Sequence, residues 1–172
     1  MVHIYCGNGK GKTTAALGLC IRCVGSGKNV TFVQFLKNSK GSEICFLKNI
    51  ENITIRCFQE TVNGFFFSMS DEDKKALKAE TEKGFEYVQS ILKSGESDMV
   101  ILDEIGGAIE NGLISEDDVL EIIKNFGVKT EIVLTGRKFP ENIIKFSDYV
   151  SEICEIKHPY TKGIMPRKGI EY

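Results

Sequence analysis

Short apolar runs alternate along this chain with longer stretches in which apolar residues recur at helical spacing. Val2 to Tyr5 is the first short run, a predicted strand, and it opens onto the glycine-rich segment Cys6-Gly7-Asn8-Gly9-Lys10-Gly11-Lys12-Thr13-Thr14. From about Thr13 the residues Ala15, Ala16, Leu17, Leu19, Cys20, Ile21, Cys23 and Val24 make a segment apolar nearly all round. That pattern predicts a buried helix, stopped at Gly25-Ser26-Gly27. Asn29 to Phe35 (NVTFVQF) is apolar on both faces, as a buried parallel strand is. A loop with Lys37, Lys40 and Gly41, a short helix around Ile44 to Ile50 and a third strand, Ile53 to Phe58, follow.

After a loop from Gln59 to Met69, Ser70 and Asp73 form a variant capping box before a long amphipathic helix ending near Ser94-Gly95. Met99 to Leu102 is a fourth apolar strand closing on Asp103 and Glu104. Ser115 and Asp118 open another helix, which runs to Asn125-Phe126-Gly127. A fifth strand, Glu131 to Leu134, leads into Thr135-Gly136-Arg137. A proline-started helix (Pro140 to Phe146) and a last strand, about Tyr149 to Ile156, complete the pattern. No unit of about 20 to 50 residues repeats, which excludes a solenoid. The alternation predicts a three-layer α/β domain with a mostly parallel sheet of about six strands, and with the glycine-rich segment after its first strand it resembles the P-loop NTPase-like (RecA-like) kind.

The glycine-rich segment gives this fold its first chemistry. Glycines let consecutive backbone N–H groups turn into one concavity, and the following helix directs its positive end there, so the loop is an anion cage. Lys12 is placed to reach the outer phosphates and Thr13 to coordinate Mg²⁺. The usual pattern has glycine where this chain has Cys6, which is tolerated if Cys6 keeps a negative φ. Asp103 and Glu104 read as the metal-holding carboxylates that accompany such a loop.

In parallel sheets ligands bind beyond the carboxyl ends of the strands, which puts the phosphate loop, Lys37 and Lys40, Gly64-Phe65-Phe66-Phe67, Asp103-Glu104 and Arg137 on one edge. In an extended segment Phe65 and Phe67 face the same way and offer two rings to a flat apolar ligand, although three aromatics also suit an ordinary core. Arg22, the only charge in the first helix between Lys12 and Lys28, either reaches solvent or works beneath the nucleotide. Arg137 suits a phosphate or ribose contact as well as a surface ion pair. His3 and His158 read as structural, as do Cys20 and Cys23.

The chain has 172 residues, enough for one self-sufficient core, and no linker divides it, so a single domain is expected over 1–172. A net charge of −2 with interspersed signs offers no basic field for nucleic acid or a membrane surface. No apolar run approaches the roughly 18 residues of a membrane helix, and the phosphate loop leaves no room ahead of it for a signal peptide. A cytoplasmic protein with six reduced cysteines is expected.

Together the motifs resemble the P-loop ATP:corrinoid adenosyltransferases. The similarity lies in Gly7-Asn8-Gly9-Lys10-Gly11-Lys12-Thr13-Thr14-Ala15-Ala16, Val33-Gln34-Phe35-Leu36-Lys37, Gly64-Phe65, Val100 to Glu104, Leu134 to Arg137, Lys157-His158-Pro159 and Gly169-Ile170-Glu171-Tyr172. The resemblance implies that Mg-ATP binds with its polarity reversed relative to kinases, through Gly7 to Thr14, Arg22 and Arg137. Co(I) of a corrinoid then attacks the ribose 5′ carbon and triphosphate leaves, in adenosylcobalamin synthesis or salvage. It further implies Thr13 and Glu104, with Asp103 beside them, as metal ligands, and Lys12, Thr13 and Glu104 as the catalytic set. Phe65 and Phe67 are implied to press on the lower corrin face, displace its axial ligand and ease reduction of Co(II). A homodimer and a flavoprotein reductant are the implied partners.

Members of the family often carry a longer segment ahead of the loop that folds over the neighbouring subunit's site, and some have tryptophan where Phe67 stands. Two other functions use the same loop: a small-molecule phosphotransferase or ATPase of ordinary polarity, and a nucleotide-dependent corrinoid-binding protein that does no chemistry.

Overall fold

The computed structural model describes residues 1–37, 41–59, 64 and 66–171. Lys40, Phe65 and Tyr172, singled out above, lie outside the described residues. Six strands form one sheet: β1 (Val2–Cys6), β2 (Val30–Phe35), β3 (Ile53–Phe58), β4 (Met99–Asp103), β5 (Glu131–Thr135) and β6 (Tyr149–Glu152). They lie in the order β3-β2-β4-β5-β1-β6 and every pairing is parallel. The helices are α1 (Lys12–Gly25), α2 (Ser42–Leu47), α3 (Asp71–Ser94), α4 (Ile105–Glu110), α5 (Glu116–Phe126) and α6 (Glu141–Phe146).

Period-two alternation divides the core between the two faces of the sheet. Val30 and Phe32 of β2, with Met99 and Ile101 of β4, pack under Ala16, Cys20 and Cys23 of α1 and Ile44 and Leu47 of α2. Val33 and Phe35, with Val100 and Leu102, face the other layer, where α3, α4, α5 and α6 supply Leu77, Ile105, Ile123 and Ile143 among others. All six residues of β2 and all five of β4 are buried, which is why both read as mostly apolar on both faces. The caps foreseen at α3 and α5 form: Ser70 Oγ accepts the Asp73 N–H and Ser115 Oγ accepts the Asp118 N–H, each at 3.1 Å.

Three expectations are corrected. The first helix is not buried all round, since only the stripe Ala16, Cys20 and Cys23 is, while Ile21 is 57% exposed. A helix lying on one face of a sheet covers one stripe, and these small side chains bring its backbone close to the strands. The last strand stops at Glu152, because the next residue turns to brace the phosphate loop instead of extending the ladder with β1. Helix α4 was not foreseen, since Ile105-Gly106-Gly107 has little helical propensity. Its first glycine is demanded by packing: a Cβ at Gly106 would lie 2.8 Å from the Lys138 carbonyl oxygen. Among the described residues no helix is long and apolar enough to cross a membrane.

Candidate active site

Cys6 ends β1 with negative φ, and the chain then turns through Gly7 (φ 100°) and Gly11 (φ 119°) into α1. The Gly7 N–H donates to the Arg137 carbonyl at 2.9 Å and the Gly9 N–H to the Ile153 carbonyl at 2.7 Å, while the Ile153 N–H donates back to Cys6 O at 2.8 Å. The loop is thus fixed from both neighbours of β1. A Cβ at Gly9 would stand 2.8 Å from the backbone of Cys154, so the glycine there is a steric requirement. As at any helix start, the first amides of α1 have no partner one turn earlier.

Opposite the loop, the ends of β2, β4 and β5 lie side by side. Register places Gln34 against Asp103, and Thr135 follows one strand over. Asp103 is fully buried and takes four hydrogen bonds: from Thr13 Oγ1 (2.9 Å) and Thr135 Oγ1 (2.7 Å) on one oxygen, and from Gln34 Nε2 (3.0 Å) and Lys37 Nζ (3.2 Å) on the other. Thr135 Oγ1 also accepts the Glu104 N–H at 2.9 Å, so one hydroxyl ties both carboxylate residues to β5. Lys37 Nζ reaches Thr13 Oγ1 at 3.0 Å and Glu104 Oε1 at 3.2 Å as well. Burial works to lower the pKa of Lys37, but Asp103 and Glu104 outweigh it and hold the ammonium above its ordinary value.

Lys12 folds back over the loop, its Nζ donating to Gly9 O at 2.9 Å. Burial lowers its pKa; Glu104 opposes this, whereas Arg137 and Lys37 add to it. A lysine so destabilised gains most when a polyanion joins it. Glu104 lines three adjoining cavities. One, of about 390 Å³, holds Asn8, Lys12, Arg137 and His158; one, of about 580 Å³, holds Lys10, Thr14, Lys37 and Glu171; one, of about 500 Å³, holds Phe66, Phe67, Lys37 and Arg137.

The structure therefore gathers Gly7, Asn8, Gly9, Lys10, Gly11, Lys12, Thr13, Thr14, Asp103, Glu104 and Arg137 on one edge, with Phe67 beside them. It does not gather Arg22. That residue is exposed on the last turn of α1, ten positions beyond Lys12 and so about 15 Å along the axis from the loop. The aromatic segment also differs from the extended form assumed for it: Phe66–Ser68 is a single 3₁₀ turn. Phe66 packs against the core under Lys74, while Phe67 is 83% exposed. A 3₁₀ turn advances by roughly 120° per residue and lacks the alternation of a strand, while the pairing expected of Phe67 with Phe65 lies outside the described residues.

Four participants carried no role in the sequence reading. Gln34 and Thr135 are paired with Asp103 by strand register, which one sequence does not print. Glu171 meets Lys10 at 3.4 Å, and His158 caps the turn Pro159–Lys162 while lining the cavity of Lys12. His3 is structural, bonded to Glu131 at 2.7 Å and stacked on Tyr149.

Residues 1–172 match the family described as ATP:corrinoid adenosyltransferase BtuR/CobO/CobP. The chain belongs to that family. It is 32% identical over 171 residues to the corrinoid adenosyltransferase of Pseudomonas aeruginosa, spanning 98% of this chain and 82% of that one. It is 30% identical over 172 residues to corrinoid adenosyltransferase CobA of Salmonella typhimurium, spanning 100% of this chain and 85% of that one. Membership in the adenosyltransferase family decides among the three functions above: the chain is an enzyme that uses ATP to adenosylate a corrinoid.

The oxygen set Thr13, Asp103 and Glu104 fits a hard divalent cation. Thr13 commits its hydrogen to Asp103, so its lone pairs are what it can offer, and the same oxygens already bind a cationic group, the Lys37 ammonium.

Proposed function

We propose that the adenosyltransferase holds the triphosphate of ATP in the Gly7–Thr14 cradle and the corrin plane against the Phe66–Phe67 turn, the two substrates meeting beside Glu104. The observation that carries this reading is shared lining: Glu104, Lys37 and Arg137 border the aromatic cavity and also the cavities of the phosphate loop. A nucleotide bound with its ribose toward that seam presents the 5′ carbon to the corrinoid, and its outer phosphates to Lys12.

In the reaction the Co(I) electron pair forms the Co–C bond as the C5′–O bond breaks. Triphosphate departs with the bonding pair, and cobalt becomes formally Co(III). No proton moves, so the protein needs position and charge in place of a general base. Lys12, the loop amides and Arg137 stabilise the leaving triphosphate. Thr13 and Glu104 would hold Mg²⁺, with Asp103, which accepts the Thr13 hydroxyl, orienting Thr13 from behind. Bound there, Mg²⁺ supplies positive charge to the triphosphate oxygens as they leave. Phe67 covers the lower corrin face.

The same reading includes a homodimer, supported by exposed Ile21 on α1 and exposed Tyr149 and Val150 on β6, and tested by sedimentation. It includes a flavoprotein that delivers the electron to Co(II), and a cytoplasmic setting in which six free thiols and Co(I) both persist.

The deciding experiment is an anaerobic single turnover with chemically reduced Co(I) corrinoid and Mg-ATP. Stoichiometric alkylcorrinoid and inorganic triphosphate support the proposal. Formation of ADP instead would refute the assigned nucleotide polarity.

A further inference from the structure

Lys37 stands where its charge is hardest to explain by fold alone. Its side chain is 39% exposed, yet the ammonium bonds Thr13 Oγ1, Asp103 Oδ2 and Glu104 Oε1 together, at 3.0, 3.2 and 3.2 Å. Thr13 and Glu104 are the oxygens assigned to the metal, with Asp103 behind them, so the inference rests on that assignment. A cation of either kind satisfies the two carboxylates, and both cannot occupy one point between them.

The backbone confirms that this placement is imposed. Among the described residues only Leu36 (φ 54°) and Glu104 (φ 62°) are non-glycines in the left-handed region: one directly precedes Lys37 after β2, and the other is the paired carboxylate itself, just after β4. Leu36 is anchored on α4: a Cβ added at Gly107 would come within 2.9 Å of Leu36 Cδ1. Strain on both sides is held by packing, and what it achieves is to deliver the ammonium to the carboxylates. Lys37 also borders both the cavity of Lys10 and Glu171 and the cavity of Phe66 and Phe67. Its four-carbon stem gives the ammonium a second place to go, along the seam between the substrates.

We infer that Lys37 is a built-in competitor of the divalent cation: it neutralises Thr13, Asp103 and Glu104 until Mg-ATP arrives, then yields the site and turns to the seam facing the corrinoid. Lys37 is thus a positioning residue that keeps the ligand oxygens assembled and makes metal entry depend on the nucleotide. ATP brings phosphate oxygens that add to the metal's ligands and give the displaced ammonium an anionic partner.

The test is a Mn²⁺ titration followed by electron paramagnetic resonance, with and without ATP, on wild type and on K37M, K37R and E104Q. Removing a like charge from beside the metal should tighten nucleotide-free Mn²⁺ binding by K37M about tenfold or more, while K37R binds no tighter than wild type. Added Mg²⁺ should raise the melting temperature of K37M more than that of wild type. K37Q, checked by circular dichroism, replaces K37M if the latter does not fold. Nucleotide-free Mn²⁺ affinity in K37M that is equal to or weaker than wild type overturns the inference. If E104Q does not weaken Mn²⁺ binding in the presence of ATP, the metal-site assignment itself fails. A weakened E104Q beside an unchanged K37M removes the competitor role alone.

Discussion

Thr13 donates its hydroxyl hydrogen to Asp103 Oδ1 across 2.9 Å, from the first turn of α1 to the end of β4. That bond decides which face of the threonine oxygen is available, because the hydrogen points to the buried carboxylate and the lone pairs are left for a cation. All four of the Asp103 hydrogen bonds are donated to it, so both of its oxygens serve as acceptors.

Asp103→Asn keeps the shape and turns one acceptor into a donor, leaving two of those bonds facing the wrong group. We expect a loss of about 3 to 5 kcal/mol, as for other buried charges that lose a partner, measured by urea unfolding. The Mg²⁺ concentration needed for half-maximal turnover should rise with it. A variant as stable as wild type would show that Asp103 is not the hub of this cluster.

Lys12→Ala removes the charge nearest the departing triphosphate and should lower kcat by roughly 10² to 10³, judged from other transition-state donors. Its lowered pKa adds a pH signature. Between the folded and the ordinary lysine pKa the unfolded chain binds more protons, so Lys12 makes stability rise with pH there. Nucleotide affinity goes the other way, because triphosphate favours the charged lysine, and should fall as pH rises through the lowered pKa. Calorimetric titration of an ATP analogue across this alkaline range should show proton uptake, which K12A lacks.

Phe67→Ala should change stability by less than about 0.5 kcal/mol, because the ring is 83% exposed. Turnover starting from Co(II) should nevertheless fall much further than turnover from chemically prepared Co(I). Equal losses from the two oxidation states would assign the ring to simple binding.

Gly136→Ala introduces a Cβ only 2.6 Å from Gly106 Cα, between the end of β5 and the start of α4. Backbone lies on both sides, so neither can yield as a side chain would. We expect about 1 to 3 kcal/mol of destabilisation and a higher KM for ATP, since Arg137 and Glu104 sit on the two segments forced apart. Thermal melts and initial rates measured together separate the two effects.

Much of this site was legible in one dimension because its parts are local. A strand, a glycine loop and a helix follow one another directly, so Lys12 and Thr13 could be assigned from spacing, as Asp103 and Glu104 could from the apolar run before them. What escaped is what depends on strand order. Gln34 and Thr135 bond the same carboxylate only because β2, β4 and β5 are neighbours, and periodicity carries no information about neighbours. Lys37 was visible as a loop cation, but its partners were not, being set by the left-handed turns at Leu36 and Glu104. Arg22 was misplaced for a simpler reason: it shares a helix with the loop, but on the wrong turn.

The brace from Ile153 to Cys6 and Gly9 bears on how the protein is made. The cradle precedes Ile153 in translation, but its shape is held by hydrogen bonds with that residue. A nascent chain still on the ribosome, with Ile153 not yet emerged, has the glycines and Lys12 without the brace that fixes them. Nucleotide binding is therefore acquired only after the sixth strand docks, and ATP rewards the braced fold alone.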